Sequence, residues 1–139
     1  MSLDLRACAV FGSADGLVAS TALILATCPH GPKVVVVALL GLLIAEGLGM
    51  AASEYLSDSA TGLKQAAVMG VATSLAIIGP GIPWLVTRGS VALTASVAIA
   101  LGIAGVIAQV RSGGLRGWLT TYGVLVVVGG IATIAGHWA

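Results

Sequence analysis

Five acidic residues occur in this 139-residue chain, and three of them, Asp15, Glu46 and Glu54, fall inside or at the edge of long apolar runs. A carboxylate inside a bilayer is disfavoured by at least roughly 2.5 kcal/mol, so where one occurs it usually faces a bundle interior and serves ion transport, proton relay or ligand binding. The ordinary alternative is a protonated acid hydrogen-bonded between helices. Three such acids in a chain with only 8% charged residues favour the functional reading. Glu46, Met50 and Glu54 are spaced by four and four, which places them on one helical face. At a rise of about 1.5 Å per residue, Glu46 and Glu54 are roughly 12 Å apart along the axis, too far to share one ion from a single helix. The spacing predicts successive sites along a path, with Asp15, or the same ladder from a second subunit, supplying further ligands. Met50 bears on selectivity, because a thioether favours softer transition metals over Mg²⁺ or Ca²⁺. Carboxylate plus thioether suggests Fe²⁺ or a neighbour such as Mn²⁺, Co²⁺ or Zn²⁺. Plain packing is the competing reading of Met50, since methionine fills gaps in apolar interiors.

The elements that must position these groups follow from composition. With 58% hydrophobic residues and a mean hydropathy of +1.11, the chain lacks the polar surface of a water-soluble fold. Uncharged runs of about twenty residues match a hydrocarbon core of roughly 30 Å. Five such runs are predicted as helices, at about 8–28, 34–57, 65–86, 90–110 and 117–138, giving an all-α integral membrane protein and a single transmembrane domain over 1–139. Continuous apolarity excludes barrel strands, which alternate polar and apolar residues. Pro29-His30-Gly31-Pro32 predicts a tight turn, and Pro80 and Pro83 predict a kink in the third span. The first run is followed at once by a second full-length one, and no cleavable signal peptide is expected.

Arg6, Lys64, Arg111 and Arg116 fall on one side of the spans, and Lys33 and Arg88 on the other. The positive-inside rule then predicts a cytoplasmic amino terminus and, after five spans, a carboxyl terminus on the opposite side. Gly41, Ala45, Gly49 and Ser53 form a small-residue stripe beside the acidic ladder, and Gly12 and Gly16 a shorter one on the first span. Small residues let membrane helices approach closely. Packing of the second helix against its own copy or the first helix would bring acids together, and a homodimer with the ladder near its interface is expected. Cys8 and Cys28, at opposite ends of the first span, are roughly 30 Å apart and are expected to be thiols rather than a disulfide, and poor metal ligands. His30 and His137 read as solvated residues beside turns. Trp84, Trp118 and Trp138 stand near span ends, where interfacial tryptophans belong.

Two stretches carry a family likeness: Phe11-Gly12-Ser13-Ala14-Asp15-Gly16-Leu17-Val18, and Ala45-Glu46-Gly47-Leu48-Gly49-Met50-Ala51-Ala52-Ser53-Glu54-Tyr55-Leu56-Ser57. They resemble the vacuolar iron transporter family. Gly79-Pro80-Gly81-Ile82-Pro83-Trp84 resembles that family's proline-rich third helix, and Gly105 to Arg111 with Gly136 its last two helices. The resemblance implies a five-helix protomer, a homodimer with the ion path at its two-fold interface, and export of Fe²⁺, often also Mn²⁺, from the cytoplasm in exchange for protons. It further implies that Asp15, Met50 and Glu54 line the path. Glu46 stands where many relatives have a small residue, so its assignment rests on the helical-face spacing. The family's long glutamate-rich cytoplasmic segment is replaced here by Asp58-Ser59-Ala60-Thr61-Gly62-Leu63-Lys64, which leaves Glu54, Ser57, Asp58 and Ser59 to form a cytoplasmic mouth.

Other classes were weighed against this one. A formal charge of +1 without basic clusters excludes a nucleic-acid partner. No nucleophile with a base and no hydrolytic metal triad points to an enzyme, and no resident cofactor is expected. An organic-cation transporter would want an aromatic-lined cavity, and only Tyr55 stands close to the ladder. The alternative from another class is a non-transporting membrane subunit that binds a partner and keeps the fold. The abundance of Ala, Gly and Val points to a prokaryotic cell membrane, or a vacuolar-type membrane if the source is eukaryotic. Expected partners are the bilayer, the divalent cation, protons and a second copy of the chain.

Overall fold

A computed structural model describes residues 3–57, 62–111 and 114–138. Five helices account for nearly all of them: α1 (Leu3–Thr27), α2 (Pro32–Ser57), α3 (Leu63–Val86), α4 (Gly89–Arg111) and α5 (Leu115–Trp138). All five are long and apolar enough to cross a membrane, as the uncharged runs predict, with α1 beginning several residues earlier than expected. Asp58 and Ser59 of the expected mouth lie outside the described residues.

The α1–α2 connection is a short 3-10 turn, Cys28–His30, closed by Gly31 at φ 102°, a left-handed-side conformation that glycine adopts without a side-chain clash. Pro32 opens α2, where its missing N–H is no loss because the first turn has no acceptor for it.

α3 is the scaffold. It packs on α1, α2 and α4, and nine of its residues are buried. Its approach to α1 is set by Gly12 and Gly16: a Cβ on Gly12 would stand 2.5 Å from the Met69 carbonyl, and one on Gly16 would collide with the Thr73 backbone. Gly47 of α2 meets Gly70 in the same way, a Cβ on Gly70 falling 2.7 Å from the Gly47 carbonyl. Backbone contact of this kind is what small residues provide where lipid supplies no hydrophobic driving force. Two apolar clusters fill the remaining interior, one around Leu17, Ala104 and Leu125, the other around Ile24, Val35, Ile77 and Trp84.

Helix α3 continues through Pro80 and Pro83. Pro80 cannot donate to the Ala76 carbonyl, and the Ser20 hydroxyl of α1 is directed at that oxygen, 3.4 Å away. Ser96 of α4 donates to the Pro80 carbonyl at 2.7 Å. Buried hydroxyls on neighbouring helices thus satisfy backbone groups around the prolines, as a bilayer requires. Trp84 differs from the interfacial role expected of it: it is 5% exposed and belongs to the core, whereas Trp138 is 90% exposed.

Candidate functional site

α1 and α2 are antiparallel neighbours, so residues rising along one face of α1 meet residues descending α2. Asp15 and Glu46 meet in this way, carboxyl facing carboxyl across the α1–α2 seam. Asp15 is twelve residues into the 25-residue α1, about 18 Å along a helix of roughly 37 Å, and therefore near mid-depth of the span.

Two turns nearer the amino end of α1, the Cys8 thiol donates to Glu54 Oε1 at 3.4 Å. Cys8 is buried, and Asp15, Glu46, Met50 and Glu54 are each half-buried, so the ladder face of α2 lines a partly enclosed seam. Met50 lies between the two levels along α2. Beyond mid-depth the polar character ends: Leu23, Leu42 and Leu43 pack there against Ile24, Val35 and Leu39. One half of the α1–α2 seam thus carries a thiol, a thioether and carboxyl groups, and the other half is apolar apart from the Cys28 thiol.

The acidic face inferred from the four-residue spacing is therefore a real face, and Asp15 supplies the facing carboxyl to Glu46. Cys8 has a neighbour that the sequence did not reveal. Set aside as a ligand because no second cysteine or histidine stands nearby, it is brought against Glu54 by the tertiary fold. The signal was present in the sequence, since seven residues separate Cys8 from Asp15 and place both on one face of α1. Both cysteines are thiols, as expected.

The stripe Gly41, Ala45, Gly49 and Ser53 does not pack against α1. All four residues are exposed, and a Cβ at Gly41 or Gly49 would meet nothing within 4 Å. Close approach inside the protomer uses Gly47 instead, one position away from Glu46 and on the α3 side. His30 is exposed, and His137, also exposed, places Nδ1 2.9 Å from the Thr133 carbonyl oxygen.

Among the described residues no group of three or more His, Cys, Asp and Glu side chains converges as a metal cage. Each level offers two such donors from one protomer, below the four to six ligands that transition metals and hard divalent cations take up. Comparison with known proteins finds no matching family model, curated protein or solved structure.

Proposed function

We propose that this chain is a membrane transporter for a divalent transition metal, moving Fe²⁺ or Mn²⁺ out of the cytoplasm in exchange for protons. The observation that carries the reading is the Asp15–Glu46 pair, two carboxyl groups facing each other near mid-depth of an apolar bundle. The ladder residues and the resemblance of the α1 and α2 motifs to vacuolar iron transporters support it.

In this reading the amino terminus is cytoplasmic and the ion enters at Cys8 and Glu54, where sulfur and carboxylate together favour a borderline-soft cation over Mg²⁺. It passes Met50 and reaches Asp15 and Glu46. There a carboxyl ligates the cation only in its ionised form, so metal binding and protonation compete for the same oxygens. When the ion leaves toward the far side, the carboxyls take up protons again, which couples metal movement one way to proton movement the other. Two chains form a homodimer through the exposed α2 stripe, and the partner's ladder completes the coordination.

Fe²⁺ flux into proteoliposomes under an imposed pH gradient tests the proposal, with Mn²⁺, Zn²⁺ and Mg²⁺ as competitors. Gradient-dependent flux that is lost in Asp15→Asn is the expected result. Absence of flux of any divalent metal from folded protein would instead assign the chain to non-transporting membrane subunits.

A further inference from the structure

α1, α4 and α5 enclose a cleft of about 750 Å³ on a different face of α1 from Cys8 and Asp15. That volume is within the roughly 300–1,000 Å³ of small-molecule sites. Its chemistry is divided. Arg6 and Arg111 stand at one end, while Val10, Phe11, Val18 and Val124 make the wall beyond them, and no carboxylate lines it among the described side chains. The Arg6 guanidinium donates to the carbonyl of Val110, in the last turn of α4, which fixes this arginine beside the α4 terminus that carries Arg111.

The dimensions select the occupant. From Arg6 to Val18 the cleft follows α1 for twelve residues, about 18 Å. One leaflet of a bilayer has a hydrocarbon depth near 15 Å, half of the roughly 30 Å core. A cleft with cationic groups at the span end and an apolar wall reaching mid-depth has the polarity and length of one phospholipid, headgroup outward. We propose that it binds an anionic phospholipid, with the phosphate held by Arg6 and Arg111 and one acyl chain laid along Phe11, Val18 and Val124. This site does not depend on the transport proposal, since none of its residues belongs to the ladder.

Native mass spectrometry of the full chain in detergent, titrated with palmitoyl-oleoyl phosphatidylglycerol or phosphatidylcholine, tests it. At about fivefold per basic residue near an anionic headgroup, the two arginines are expected to give phosphatidylglycerol roughly a 25-fold advantage. Arg6→Gln with Arg111→Gln abolishes that preference, and Lys33→Gln with Arg88→Gln, at the opposite end of the bundle, leaves it intact. Arg111→Gln alone, which spares the Arg6–Val110 contact, loses about fivefold and keeps the test open should the double variant misfold. Ala14→Leu, placed inside the cleft, weakens phosphatidylglycerol binding with both arginines present. Equal retention of the two lipids by the wild type would overturn the proposal. So would an unchanged affinity in Ala14→Leu, which would reduce the site to surface charge, or displacement of the lipid by millimolar inorganic phosphate, which would make it a bare anion site.

Discussion

α2 and α3 are adjacent apolar helices of 26 and 24 residues, and they are used in opposite ways. α3 buries nine residues and meets three other helices, with glycine and alanine at the contacts. α2 buries only Val35, Leu39 and Gly47, yet carries Glu46, Met50 and Glu54 on a half-buried face and a bare small-residue stripe beside it. In lipid, overall apolarity says only that a helix crosses. Residue size decides which helix becomes scaffold, and scattered polar groups decide which one carries chemistry.

The sharpest break of this contrast comes from placing bulk on the scaffold side. Gly16→Leu drives a side chain into the Thr73 backbone and is expected to cost about 3 kcal/mol or more, read as loss of monodisperse protein and a lowered thermal midpoint in detergent. On the chemical side, Asp15→Asn should leave folding intact while lowering metal flux by about 100-fold or more, measured in proteoliposomes. Glu46→Gln should lower flux by about 10- to 100-fold and flatten its pH dependence, because the pair it forms with Asp15 no longer exchanges a proton for the ion. For the wild type, protons and metal compete for the same carboxyl oxygens, so metal entry is expected to fall as the entry side is acidified. A pH-independent flux would separate transport from this pair. Cys8→Ser replaces a soft donor by a hard one beside Glu54 and should shift competition toward Mn²⁺ over Zn²⁺ by about 10-fold, with total flux little changed. Gly49→Leu should be the mildest for the protomer, since the added side chain enters open space. Its effect is expected on self-association, seen as a rise in the monomer fraction by light scattering, with an unchanged thermal midpoint.

Several of these features are legible in the sequence. Pro29 to Pro32 announced the first turn, the uncharged runs announced five spans, and the four-residue spacing put Glu46, Met50 and Glu54 on one face. Trp84 was not legible, because proximity to a span end does not say whether a side chain points to lipid or to a neighbouring helix. Nor was the partner of Glu46, since a one-dimensional spacing describes a face but not what lies against it.

The sequence by itself determined the five helices long and apolar enough to cross a membrane and the four-residue ladder, because hydrocarbon thickness and helical pitch are fixed lengths that a linear pattern must satisfy. Only the tertiary structure decided that Asp15 meets Glu46, that Cys8 meets Glu54, that Gly47 rather than Gly49 touches α3, and that Arg6 and Arg111 close one end of a cleft. Those outcomes depend on the rotation and register of helices about one another, which are set by the summed packing of many small contacts and leave no local mark in the chain.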